Sequence, residues 1–308
     1  MQIRVLGSAA GGGYPQWNCN HPNSRRARAG DALAPQRTQS SLAVSADGQQ
    51  WVLFNASPDL RQQINNTPAL HPRTALRESP IKAVLLTNAD VDHVAGLLNL
   101  RESQALHLYA TQRVLSVLAA NSIFNVLNPR FVTRQAIALD QACVLTNPNG
   151  HALNITVVPF AVPGKVALWL EDGSRGENFG TVDEDTIALE VHSAQGTRFF
   201  YIPACAQMTP ALAARLRGAA LVFFDGTLYT DDEMIRDGVG VKTGARMGHM
   251  SVTGPQGTLA AFAELAVQRR VFIHINTTNP ILIADTPERG VIEAAGWEVA
   301  YDGMQIEI

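Results

Sequence analysis

Residues 82–93 decide the interpretation of this chain, and their sequence is Lys-Ala-Val-Leu-Leu-Thr-Asn-Ala-Asp-Val-Asp-His. The run 82–86, apolar after Lys82, predicts a buried strand. Side chains at alternate positions of extended backbone point the same way, so Asn88, Asp90 and Asp92 are expected to converge, with His93 turning in as a helix begins near residue 94. Two carboxylates and an imidazole are costly to bury unless their charge is compensated. The segment therefore predicts a site for a divalent metal ion.

Three distant residues are expected to complete the site. His274 and Asp225 each lie at the end of an apolar strand, and His249 lies in a Gly-His-Met-Ser segment before a predicted helix. Taken singly, each has a simpler explanation: Asp225 as a turn residue, His249 as a loop residue and His274 as a hydrogen-bonded core histidine. Their order along the chain, each close to a strand end, favours a shared site.

Predicted strands come in runs early in the chain and alternate with helices later. This pattern predicts a sheet-on-sheet core with helices on the outer faces, and the absence of a linker-like segment predicts one domain over residues 1–308. Residues 18–38 are polar and are expected to form a loop, 166–170 are expected to form a strand, and 255–268 a helix.

The composition narrows the class of protein. The 308 residues are 46% hydrophobic and 17% charged, with a net charge of −3, which gives no basic excess for nucleic acid and no acidic run typical of disorder. The three cysteines are far apart, so a disulfide framework is not expected. Because we find neither a signal peptide nor a membrane span, we expect a cytoplasmic protein.

The motif order resembles that of the metallo-β-lactamase superfamily, whose signature is His-x-His-x-Asp-His after a strand. The resemblance implies an α/β (α+β) fold, the four-layer αββα sandwich, with Asp225 and His274 at the last two ligand positions. Here Asn88 and Asp90 stand where the signature has histidines, and the region of the third histidine is Val-Pro-Gly-Lys at 162–165. These departures weigh against hydrolase chemistry.

The chain also resembles, over its whole length, the family of pyrroloquinoline quinone (PQQ) biosynthesis protein B. The segments that carry this resemblance are Val-Leu-Gly-Ser-Ala-Ala-Gly-Gly-Gly at 5–13, Pro-Gln-Trp-Asn-Cys at 15–19, Arg-Thr-Gln-Ser-Ser at 37–41, Ser-Pro-Asp-Leu-Arg at 57–61, Asp-His-x-x-Gly-Leu-Leu-x-Leu-Arg-Glu at 92–102, and Phe-Asp-Gly-Thr at 224–227. The resemblance implies oxidation of a crosslinked Glu–Tyr precursor derived from a ribosomal peptide. It also implies, as an alternative, transport of PQQ or its precursor toward the periplasm.

The resulting hypothesis is an oxygenase that hydroxylates the tyrosine-derived precursor, with other PQQ-biosynthesis enzymes as further partners. Asp90, Asp92, His93 and His274 would hold the metal, Asp225 would be a further ligand or an anchor, and His249 an acid–base or orienting group. Two histidines with a carboxylate favour Fe(II), and Zn(II) is the other choice. The alternatives are a non-catalytic carrier and a zinc hydrolase.

A second metal site near the N-terminus is a weaker prediction. The resembled family carries Cys-x-Cys-x-x-Cys where this chain has Cys19, His21 and Ser24. Cys19 and His21 are zinc ligand types, but serine is a poor ligand, and structural zinc needs four nitrogen or sulfur donors. We expect a metal-free loop here, with a zinc site at Cys19 and His21 as the alternative.

Overall fold

The computed structural model describes residues 1–176 and 178–308 and contains two seven-stranded mixed sheets. The strands of the first sheet come mostly from the N-terminal half. They are β1 (Gln2–Gly7), β2 (Ser41–Ser45), β3 (Trp51–Phe54), β4 (Ile81–Leu85), β5 (Leu106–Thr111), β6 (Val132–Ile137) and β14 (Gln305–Glu307). Their order is β14-β1-β2-β3-β4-β5-β6. Strands β3 to β6 are mutually parallel, so the carboxyl ends of β3 and β4 open toward the same edge.

The second sheet is built from the C-terminal half. Its strands are β7 (Cys143–Thr146), β8 (Ala152–Ala161), β9 (Ile187–Ser193), β10 (Arg198–Ile202), β11 (Leu221–Asp225), β12 (Arg269–Ile273) and β13 (Trp297–Val299). They follow the order β13-β12-β11-β10-β9-β8-β7. Strands β10 to β13 are parallel, which brings the carboxyl ends of β11 and β12 side by side.

Short helices connect the strands. They are α1 (Pro22–Arg28), α2 (Leu60–Asn66), α3 (Val91–Val94), α4 (Gln112–Ala119), α5 (Pro210–Leu216), α6 (Glu233–Arg236), α7 (Gly244–Met247), α8 (Thr258–Phe262) and α9 (Pro287–Ala294). In the part of the chain that is described, none is long and apolar enough to pass through a lipid bilayer.

Three apolar clusters hold the layers together. The central one lies between the sheets and includes Val44 and Tyr201. A second covers the outer face of the first sheet, where α2 and α4 pack. A third covers the outer face of the second sheet, where Phe272 stacks on Trp297 with ring centroids 3.9 Å apart. Because side chains alternate between the two faces of each strand, one face of each sheet packs against the other sheet and the opposite face packs against helices. The result is the predicted metallo-β-lactamase-like αββα sandwich.

The loop prediction for residues 18–38 is wrong in part, because α1 begins at Pro22. Proline is favoured at a helix start, and the His21 side chain accepts a hydrogen bond from Asn23 N at 3.3 Å. Helix α1 has only seven residues, and three arginines fall in its last turn. Because its composition is polar, it lacks the apolar periodicity from which a helix is predicted.

Two further element predictions are also wrong. The apolar run 166–170 forms no strand; its end is the 3₁₀ turn Leu168–Leu170. Leu168 and Trp169 are substantially exposed, and Leu168 lines a cavity, so this run does not join a sheet. The helix expected over 255–268 is confined to Thr258–Phe262. The Gly-Pro-Gln-Gly segment before it forms turns, with Gly254 at φ 97°.

Candidate metal centre

The two sheets deliver acidic and imidazole side chains to one cavity. Asp92 and His93 lie on α3, directly after β4 of the first sheet, and His274 lies directly after β12 of the second. Each of these three side chains offers a ligand atom, and the three atoms lie within 4.8 Å of one another. Asp225, His249 and His274 form a second such group that shares His274. Five of the residues expected to form the site therefore meet at one place.

His93 is oriented with one ring nitrogen free. Its Nδ1 lies 2.7 Å from Asn88 Oδ1, and since the amide oxygen can only accept, Nδ1 carries the hydrogen. Nε2 then carries the lone pair. It is buried and has no hydrogen-bond partner among the described residues, with Asp92 Oδ2 at 3.8 Å. A buried imidazole nitrogen left without a partner is costly, and a metal ion bound there would remove that cost.

His274 is anchored from behind by Thr227. The Thr227 hydroxyl lies 2.8 Å from His274 Nδ1 and 2.6 Å from Asp225 Oδ1. On the other side of the ring, Nε2 lies 3.0 Å from Asp92 Oδ2. The residue has φ 60°, a left-handed conformation uncommon for residues other than glycine, which turns the chain out of β12 at this point.

Asp225 is fully buried at the end of β11 and connects the second group. Its Oδ2 accepts from Cys205 N at 2.9 Å and lies 2.7 Å from His249 Nδ1. The His249 ring stacks on that of His274 with centroids 5.1 Å apart. The arrangement suits Asp225 as a bridge that fixes both imidazoles.

The charges in the cluster are strongly coupled. Burial lowers the pKa of His93 to about 4, only partly opposed by Asp92, so the ring is neutral near pH 7. Burial alone would raise the pKa of Asp92, but the interaction with His93 and the hydrogen bond from His274 outweigh it and hold that pKa below its ordinary range. A neutral imidazole beside an ionised carboxylate is the protonation state in which both can bind a metal.

Asp90 lines the same cavity but belongs to neither three-ligand group among the described residues. Its Oδ1 accepts from Leu168 N at 3.0 Å. Burial, followed by the charge of Asp92, raises the pKa of its carboxyl group. Asp90 thus lies beside the cluster, and its hydrogen bond from Leu168 N fixes the backbone at the edge of the cavity.

The cavity has a volume of about 410 Å³ and is lined by Asp92, His93, His249 and His274, whereas Asp225 is fully buried and is not part of the lining. Its lining also includes Met234, Lys242, Met247 and Asn276, which were not predicted as site residues, and Gly164 and Lys165 of the segment at the third-histidine position. They lie in loops or in the short helices α6 and α7, outside the strands, so no alternation along a strand pointed to them. Thr227 was also overlooked as a functional residue, although its position two residues after Asp225 was a signal.

The N-terminal residues Cys19 and His21 take part in other contacts. His21 Nε2 lies 3.2 Å from Asp237 Oδ2, and Cys19 Sγ accepts from His21 N at 3.4 Å. Ser24 is buried, with its hydroxyl 2.8 Å from that of Thr277. Within residues 1–176 and 178–308, no three-ligand group includes Cys19 or His21.

Comparison with known proteins first defines the class. The model of the β-lactamase superfamily domain matches residues 50–275. A diphosphatase of the PhnP family shares the fold at a TM-score of 0.69, with 18% identity over 100% of this chain and 96% of that one.

Closer relatives define the family within that class. Coenzyme PQQ synthesis protein B of Gluconacetobacter diazotrophicus is 57% identical over 307 residues, 99% of each chain. The protein of the same name from Xanthomonas oryzae pv. oryzae is 55% identical over all 308 residues of both chains. A crystal structure of Zn²⁺-bound PqqB from Methylobacterium extorquens has a TM-score of 0.94 and 51% identity over 100% of both chains. The chain belongs to the family of coenzyme PQQ synthesis protein B.

Proposed function

We propose that this protein is a metal-dependent oxygenase of PQQ biosynthesis that hydroxylates the tyrosine-derived precursor. The observation that carries the proposal is the cluster of Asp92, His93 and His274, two imidazoles and one carboxylate within 4.8 Å. This donor set on one face suits non-haem Fe(II), which would supply O₂ activation when bound. Membership of the family supports a role in PQQ biosynthesis, and the donor set supports oxygenase chemistry.

The chain's own residues would prepare the site. Asn88 fixes the His93 tautomer, and Thr227 together with Asp225 fixes the orientation of His274. His249, held by Asp225, lines the cavity and is placed to accept a proton from a phenol or to orient it. Asp90 is proposed as a further oxygen donor at the rim.

The test loads metal-free protein with Fe(II) under anaerobic conditions and then adds the crosslinked Glu–Tyr precursor, a reductant and O₂. We expect a product heavier by one oxygen atom, which is lost in His93→Ala and Asp92→Ala. Zinc-loaded protein is the matched control and should give no such product. Absence of the oxygenated product with Fe(II) would overturn the proposal.

One observation favours a second function without redox chemistry, namely the zinc ion in the Methylobacterium relative. With zinc, this chain would act as a carrier of PQQ or its precursor, or as a hydrolase. A carrier would bind PQQ equally well after Asp92→Ala and His93→Ala. A zinc hydrolase would cleave generic phosphodiesters, and both functions predict no dependence on O₂.

A further inference from the structure

Lysine is rare in this chain and is concentrated at the cavity. Among the 24 lysine and arginine residues there are only three lysines, Lys82, Lys165 and Lys242. Lys165 and Lys242 both line the cavity that contains the metal cluster. Lys82 lies on β4, where its Nζ donates to Ser79 O at 2.7 Å. A chain that uses arginine for almost all of its positive charge thus places two compact ammonium groups beside its candidate active site.

These two lysines are not needed to neutralise their acidic neighbour. Glu171 is already paired in a bidentate way by Arg246, whose Nη1 and Nη2 lie 3.3 and 2.8 Å from its two carboxylate oxygens. Lys165 Nζ lies 3.1 Å from Oε1 of the same carboxylate, and Lys242 Nζ lies 3.9 Å from Oε2. Three positive charges therefore surround one negative charge, which leaves this wall of the cavity with a surplus of positive charge.

The wall is held in place on both sides. The guanidinium of Arg246 lies over the Phe179 ring, 3.8 Å from its centroid. Gly248, at φ 87°, packs directly on the stem of Lys165, since a Cβ there would lie 3.1 Å from Lys165 Cγ. The Lys165 side chain is 16% exposed and that of Lys242 is 34% exposed. The side chain of Lys165 is therefore the more restrained of the two. That of Lys242 is more exposed to solvent and can move more.

The floor of the same cavity is acidic, with Asp90 and Asp92 in its lining. Even with a divalent cation bound, a substrate that carries carboxylates would meet little attraction there. A cationic wall supplies that attraction and also sets which end of the substrate faces the metal.

We propose that Lys165 and Lys242 bind a carboxylate of the substrate and so orient its aromatic ring toward the metal centre. The inference deepens the proposed function and rests on it, because it assigns the charge recognised at that same site. It defines the recognised group as a carboxylate, in contrast to a neutral phenol.

The test compares the crosslinked Glu–Tyr precursor with its carboxyl methyl ester as ligands for the zinc-loaded protein. Binding is measured by calorimetry at low salt. In the wild type the acid should bind at least about tenfold more tightly than the ester. In the double variant Lys165→Gln, Lys242→Gln this ratio should fall to near one, while Lys82→Gln keeps the wild-type ratio. The single variant Lys242→Arg, with Lys165 unchanged, keeps the positive charge. It should retain most of the difference in affinity between the acid and the ester.

An unchanged ratio in the double variant would overturn the inference. If no protein gives the oxygenated product but the ratio still depends on the two lysines, the hydroxylase proposal fails and carboxylate recognition stands. If the double variant hydroxylates the precursor with an unchanged KM, carboxylate recognition by these lysines fails and the hydroxylase proposal stands.

Discussion

His274 Nε2 lies 3.0 Å from Asp92 Oδ2, and the two residues follow strands of different sheets. The contact spans 182 positions of the sequence and joins the two sheets beyond the carboxyl ends of β4 and β12. A cation held between these side chains would connect the two halves of the chain. Metal binding and the stability of the whole fold are therefore expected to be coupled.

The first prediction concerns metal addition. Binding to the folded state alone raises the free energy of unfolding by about 3 kcal/mol when free metal exceeds Kd by about 100-fold. We expect Fe(II) or Zn(II) to raise Tm, because either ion offsets the buried charge of Asp92 and satisfies His93 Nε2. Thermal scans with and without metal measure the effect.

The matched control for this prediction is a pair of Asp→Asn variants. Asp92→Asn should abolish the metal-dependent rise in Tm, whereas Asp183→Asn, at an exposed position, should retain it. An equal rise in both variants would place the bound metal elsewhere in the molecule.

The second prediction concerns Thr227, which contacts no metal in the proposed site. Its hydroxyl lies between His274 Nδ1 and Asp225 Oδ1, so Thr227→Val removes the anchor of a ligand and leaves the ligand itself. Loss of such a partner typically costs about 10- to 100-fold in metal affinity. Competition with a chelator measures this loss, and Thr227→Ser should bind as the wild type does. Wild-type affinity in Thr227→Val would contradict the anchoring role.

Much of the fold and the clustering of the candidate ligands could be anticipated from the sequence. The strand before Asp92 and the strand before His274 are continuous apolar runs, and parallel strands place their carboxyl ends at one edge. Within one sheet this brings Asp225 and His274 together, since β11 and β12 are parallel neighbours, and the order of the motifs indicated that Asp92 and His93 of the other sheet join them. The order of these residues along the chain, namely Asp92, His93, Asp225 and His274, therefore indicated that they are close in the folded protein.

The remainder depended on loops. Lys165 and Lys242 lie outside the strands, and their proximity to Glu171 depends on how two irregular segments fold over the cavity. Polar turns and a short helix such as α1 lack the periodicity from which elements are predicted. The apolar run 166–170 was misleading because Leu168 and Trp169 are exposed, with Leu168 in the lining of the cavity.

The third prediction tests how tightly the segment after His93 is packed. A Cβ on Gly96 would lie 2.0 Å from Ser57 O, so Gly96→Ala must displace the backbone that follows α3. Overpacking of this kind costs roughly 1–3 kcal/mol. Gly290 in α9 faces open space, and Gly290→Ala should stabilise by about 0.5–1 kcal/mol. Urea unfolding of both variants measures these changes, and equal effects would contradict the packing argument.

The fourth prediction concerns pH and Glu233, a buried residue of α6. Burial raises its pKa from 4.5 to about 7, partly opposed by a hydrogen bond from Thr278. The folded state holds this proton more tightly than the unfolded chain, so the stabilising contribution is present below about pH 4.5 and is lost as pH rises through about 7. Relative to Glu233→Gln, the wild type should lose about 3 kcal/mol of unfolding free energy between about pH 5 and pH 8. Urea unfolding at both pH values measures the difference, with exposed Glu264→Gln as the control. A difference that stays constant with pH would contradict a proton held on Glu233.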